Sequence, residues 1–88
     1  MDSIKLIYTP TFLRKLKKCE PELQEEIKER ITLFKNRSNH KQLKVHKLKG
    51  NLKNRYSFSA TYAHRIVFIW EDTQTAVLLS VGDHNVYK

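Results

Sequence analysis

Hydrophobic residues along this chain change period twice, from a short continuous run to helical spacing and then to strict alternation. Ile4, Leu6, Ile7 and Tyr8 form an extended run that Thr9-Pro10 ends, because threonine can cap a helix and proline fits a helix's first turn. Phe12, Leu13, Leu16 and Cys19 then recur at three- and four-residue spacing, with Arg14, Lys15, Lys17 and Lys18 between them, which predicts an amphipathic helix. Glu20-Pro21 interrupts that helix and starts a second. There Leu23, Ile27, Ile31 and Phe34 make one apolar stripe, with Glu22, Glu25, Glu26 and Glu29 early and Lys35 and Arg37 late, in the sense the helix dipole favours. The pair reads as a helical hairpin with one shared apolar face.

The stretch 36–54 is polar, basic and aperiodic, so it reads as a loop with a short extended piece at Leu43-Lys44-Val45 and a turn at Gly50-Asn51. A long loop in so small a domain is expected to be functional. From Arg55 to Tyr62 the chain alternates. Tyr56, Phe58, Ala60 and Tyr62 are expected to pack, while Arg55, Ser57, Ser59 and Thr61 meet solvent or ligand. In the next run Ile66, Phe68 and Trp70 share one side and Arg65, Val67 and Ile69 the other. After a turn at Glu71-Asp72-Thr73-Gln74, Thr75 to Val81 is nearly continuous apolar sequence, as an interior strand would be. The order β-α-α-β-β-β predicts an α+β fold: one domain over 1–88, an antiparallel sheet with the N-terminal helical hairpin packed on one face. Tyr62 and Trp70 read as core aromatics rather than stacking platforms.

Charge narrows the ligand class. Lys and Arg number 17 against 9 Asp and Glu, a formal +8, and no acidic residue occurs between Arg30 and Trp70. A polyanion would meet a nearly uncontested positive field there, which makes nucleic acid the leading ligand. Cys19 is the only cysteine, so no internal disulfide can form and a reducing cytosol suits the chain. No apolar run is long enough to span a bilayer and the N-terminal residues carry no secretory pattern, so the expected location is cytoplasmic. With no Gly-rich phosphate loop and no His/Cys/Asp set at metal-ligand spacing, neither a cofactor nor a metal is expected.

What remains is the equipment for metal-independent RNA cleavage by the RNA's own 2′-hydroxyl. A base must take that proton, an acid must protonate the departing 5′-oxygen, and fixed cations must meet the charge growing around phosphorus. Histidine suits the proton steps, and tyrosine is a usable acid or positioning group. Arg65 stands out as a permanent cation in an apolar strand, a phosphate-facing candidate. His84 and Tyr87, three positions apart near the C-terminus, and His46 in the basic loop complete the set.

With these residues in hand the chain resembles the RelE/ParE superfamily of small toxins from type II toxin–antitoxin modules. The run from Ile4 to Pro10 with the helical hairpin is similar to the family's N-terminal half. His46-Lys47-Leu48-Lys49-Gly50 resembles the His-x-Leu-x-Gly loop of the YafQ-type branch. His64-Arg65-Ile66-Val67-Phe68 resembles the His/Tyr-Arg-Leu-Val-Tyr strand of the YoeB and RelE branches, and Val81 to Tyr87 resembles the terminal Gly-x-His/Arg…Tyr/Phe segment. The resemblance implies a ribosome-dependent mRNA endonuclease that leaves a 2′,3′-cyclic phosphate and is silenced by a cognate antitoxin. On that likeness Arg65 would stabilise the phosphate, and His84 would act as general acid or base. Tyr87 would stack or handle a proton, and His46 would be a second acid/base candidate. Lys47, Lys49, Lys53 and Arg55 would hold message or ribosomal RNA. The chain departs from the RelE pattern at Ser57 and Ser59, where RelE carries lysines, and has no equivalent of YoeB's catalytic glutamate. The competing expectations are a ParE-like inhibitor of DNA gyrase without chemistry of its own, and an inactive RNA- or antitoxin-binding relative. An acidic antitoxin is also expected on charge grounds, since it would cover the positive surface.

Overall fold

One side chain ends the first strand, starts the first helix and fastens both to the sheet. The Thr9 hydroxyl accepts from the Phe12 amide at 3.1 Å and donates to the Leu78 carbonyl at 2.8 Å. In the computed structural model, which describes residues 3–50 and 54–83, the elements follow in this order. Strand β1 (Lys5–Tyr8) leads into helix α1 (Pro10–Lys17) and helix α2 (Pro21–Phe34), with Pro10 and Pro21 in the opening turns as the sequence predicts. A short 3₁₀ turn (Arg37–Asn39) precedes β2 (His46–Lys47), β3 (Tyr56–Ser59), β4 (Arg65–Asp72) and β5 (Thr75–Gly82).

The sheet order is β1-β5-β4-β3-β2. The predicted α+β arrangement is present, and β5 is interior, between β1 and β4. One pairing differs from the expectation of a wholly antiparallel sheet, because β1 runs parallel to β5 and the sheet is mixed. A parallel pair needs a long crossover, and here both helices and three strands lie between the partners. Local periodicity carries no information about that direction.

The core forms where the apolar stripes of both helices meet one face of the sheet. Phe12 and Leu16 from α1, Ile27, Ile31 and Phe34 from α2, and Phe58, Ile66, Phe68, Ala76 and Leu78 from the strands are all buried. Phe34 sits at its centre, stacked on Phe58 at 4.4 Å and edge-on to Phe68 at 4.9 Å. Trp70 packs against this cluster, in line with its reading as a core aromatic.

The stretch after α2 is more ordered than a loop reading allows. Asn36 Oδ1 accepts from the Ser38 amide at 3.0 Å, and His40 Nε2 donates to the Phe34 carbonyl at 2.8 Å while its ring stacks on Phe34. Arg37, expected at the end of α2, belongs to the 3₁₀ turn, where its guanidinium lies 4.9 Å over the Trp70 ring and donates to the Thr73 carbonyl. Leu43 is buried and its carbonyl accepts from the Ser59 amide at 2.9 Å. The extended piece is His46–Lys47, not Leu43–Val45. Lys44 has φ of 60°, a left-handed turn that an extended chain cannot contain.

Candidate functional site

Strand register decides which candidate residues share a surface. His46 lies opposite Ser57, Ser57 opposite Val67, and Ser59 opposite Arg65. Side chains directly opposite one another, and those two apart on a strand, share a face. His46 and Arg65 are therefore on the same side of the sheet, opposite the Phe58 and Ile66 face that packs on the helices. From strand spacing and rise, their Cα atoms are about 12 Å apart, within joint reach of an arginine and a histidine.

His46 is exposed, and its Nδ1 is 2.8 Å from the Lys44 carbonyl. A carbonyl only accepts, so Nδ1 carries the hydrogen, and in the neutral ring the lone pair is on Nε2. The left-handed Lys44 thus orients the imidazole and selects its tautomer.

Arg65 is half-buried and makes no ion pair among the described residues. Its Nη1 donates to the carbonyls of Thr61 at 3.2 Å, Tyr62 at 3.4 Å and His64 at 3.2 Å. These bonds draw the guanidinium toward the β3–β4 turn and employ one nitrogen. Nε and Nη2 make no hydrogen bond among the described residues.

Two expectations for this face are corrected. Ser57, expected to meet solvent or ligand, is fully buried, as is Val67 to within 4%. A residue sealed from solvent cannot present its side chain to RNA. Tyr62, expected among the packing residues, is 100% exposed. Strand β3 ends at Ser59, and the alternation that placed Tyr62 inward lapses in the turn.

Among the proposed RNA contacts, Lys47, Lys49 and Arg55 are exposed around the β2–β3 connection, where the Leu48 amide donates to the Arg55 carbonyl at 2.8 Å. Lys47 pairs with Tyr56 and so projects from the face opposite His46. Lys53, His84 and Tyr87 lie outside the described residues.

A pocket of about 310 Å³ opens beside Arg65. Its walls include Arg30 of α2, Lys44, and Ser59, Thr61 and Tyr62 around the β3–β4 turn. Arg30 and Lys44 were legible as charges but not as neighbours, because only the fold brings α2 and the 41–44 turn to the end of β3.

Neither protein-family models nor curated protein sequences gave a match to the chain. Solved structures did. The toxin–antitoxin complex RelBE2 from Mycobacterium tuberculosis matches at 21% identity over 94% of this chain and 93% of that one, with a TM-score of 0.77. YafQ from E. coli strain BL21(DE3) matches at 12% identity over 96% and 97%, with a TM-score of 0.76. The YoeB–YefM complex from Staphylococcus aureus matches at 22% identity over 92% and 97%, with a TM-score of 0.68. The chain has the RelE/ParE toxin fold.

Proposed function

We propose that this chain is the toxin of a toxin–antitoxin pair and acts in the cytoplasm as a ribosome-dependent mRNA endonuclease. The observation that carries the reading is the register that puts His46 and Arg65 on one sheet face, within the stretch that has no carboxylate. The fold it shares with the toxins above supports the same reading.

The chemistry follows from the geometry. His46 Nε2 takes the proton of a 2′-hydroxyl, and the resulting oxyanion attacks the adjacent phosphorus. The bond from phosphorus to the 5′-oxygen breaks, leaving a 2′,3′-cyclic phosphate and a 5′-hydroxyl once that oxygen is protonated. Arg65 meets the charge growing on the non-bridging oxygens with Nε and Nη2, while the turn carbonyls hold its Nη1 so that little reorganisation is needed. His84 is assigned the returning proton and Tyr87 the stacking of the neighbouring base. Lys47, Lys49, Lys53 and Arg55 hold message and ribosomal RNA. The inhibiting partner is an acidic antitoxin, whose charge would complement this surface.

Primer-extension mapping of cuts on translated message tests the proposal. Wild type should cut within ribosome-covered codons, and His46→Ala and Arg65→Ala should each slow cutting by roughly 10²- to 10³-fold. Broken chromosomal DNA with intact message would instead identify a gyrase inhibitor, and absence of any growth inhibition without antitoxin would identify an inactive relative.

A further inference from the structure

We propose that the pocket between α2, the 41–44 turn and the β3–β4 turn holds a second RNA nucleotide, its phosphate on Arg30 and Lys44 and its base on Tyr62. This rests on RNA being the ligand, but not on cleavage.

Three cations, Arg30, Lys44 and Arg65, line the pocket against one carboxylate, Glu26. Its volume of about 310 Å³ is at the small end of ligand sites, which run from roughly 300 to 1,000 Å³. Lys44 is rooted there by a fixed backbone. Its amide donates to the Lys41 carbonyl at 3.1 Å, its carbonyl is bonded to His46, and the flanking Val45 amide donates to the His40 carbonyl at 3.0 Å. A non-glycine residue held left-handed by its surroundings is a common feature of binding sites. Here the same residue orients the His46 ring and contributes a cation to the pocket.

Tyr62 supplies the second half of a nucleotide site. Tyrosine is intermediate between buried and exposed residue types, yet this one is wholly exposed on a turn that is itself tightly bonded. Thr61 Oγ1 accepts from the Ala63 and His64 amides at 3.2 and 3.1 Å, the Ala60 amide donates to the His64 carbonyl at 2.9 Å, and Arg65 binds three of the turn's carbonyls. A ring displayed on a rigid support beside cations matches the stacking platforms that hold single-stranded nucleic acid. A carboxylate-bearing protein would use the cations and leave the aromatic face without a task, so RNA is the better occupant.

The test is binding of a 2′-O-methylated hexanucleotide, which lacks the attacking hydroxyl, to the full-length chain by fluorescence anisotropy over a salt series. Arg30→Gln and Lys44→Gly should each reduce the log–log salt slope by roughly 0.7, the value for one phosphate contact on a single strand. Glycine accommodates the φ of 60°, so the Lys44 variant folds without strain. Arg30→Lys should restore the slope and so separate lost charge from a disturbed helix. Tyr62→Leu keeps an apolar side chain but no π-face, and should weaken binding roughly 5- to 150-fold with the slope unchanged. The proposal is overturned if either charge-removing variant keeps the wild-type slope, if Tyr62→Leu binds as wild type, or if the variants lose affinity only for a polyglutamate peptide. A wild-type protein that shows these RNA results but cuts no message would remove the endonuclease and keep the pocket.

Discussion

Phe34 is fully buried, stacked between Phe58 and His40 and edge-on to Phe68, so it joins α2, the 3₁₀ segment and two strands through one ring. Truncation leaves a cavity that these three ring neighbours cannot fill. Phe34→Ala should cost about 3–5 kcal/mol, read as a lower urea midpoint with little change in the denaturant slope. Cys19 offers a gentler check of the same packing. Burial raises its thiol above the ordinary range, so less thiolate is present near neutral pH. Its alkylation by iodoacetamide should be slower than that of a free cysteine, and Phe34→Ala should accelerate it by loosening the core. Phe34 was legible, because it completes a three- or four-residue period. Cys19 was expected on the first helix as core filler, but α1 ends at Lys17 and Cys19 packs half-buried against the core from the bend that follows. Tyr62 was not legible. Its parity follows from Phe58 only while the chain stays extended, and nothing in the spacing marks where that ends.

Secondary elements with strong local signals formed where the sequence put them. The Thr9 cap, the prolines opening both helices and the apolar runs of β4 and β5 depend on neighbours only a few residues away. The parallel β1–β5 pairing joins Lys5 to Thr75 across most of the chain, and β2 is a two-residue strand too short to carry an alternation, so the sequence pattern specifies neither. The β4–β5 hairpin joins the two cases, since its turn was legible and its lock was not. Asp72 accepts from the Gln74 amide at 2.9 Å, and that bond, with help from the Thr75 hydroxyl, holds its carboxyl below the usual range. A carboxylate lowered on folding contributes stability above its unfolded pKa and loses it as pH falls through the folded one. Acid should therefore loosen this turn, and only below the pH at which a free aspartate titrates. The Gln74 amide proton should move upfield through that transition in a pH series by NMR. An Asp72→Asn variant should show no such step, and a step that persisted there would assign the effect to another group.

Charge is sorted unevenly over the molecule. The exposed acids Glu22, Glu25, Glu26 and Glu29 lie along α2, and Glu71 and Asp72 lie at the tip of the β4–β5 hairpin. Between them in sequence come the exposed Lys41, Lys44, Lys47 and Lys49, with no carboxylate nearby along the chain. By contrast Lys28 is 3.6 Å from Glu25, so its field is partly cancelled at source. A bound polyanion should therefore be read by some lysines and ignored by others, a pattern that total charge alone would not produce. Acetylation by a water-soluble succinimidyl ester, followed by peptide mass analysis, gives the comparison directly. A saturating RNA oligonucleotide at low salt should slow modification of Lys41, Lys44, Lys47 and Lys49 several-fold and leave Lys28 unchanged. Raising salt should erase the protection, because these contacts are exposed and screened over about a Debye length of 10 Å at 0.1 M. Equal protection of Lys28 would mean that RNA responds to net charge and not to this surface. On the proposed function, an acidic antitoxin that covers this surface should protect the same four lysines and displace the oligonucleotide. One that binds elsewhere should leave both the protection pattern and RNA affinity as they were.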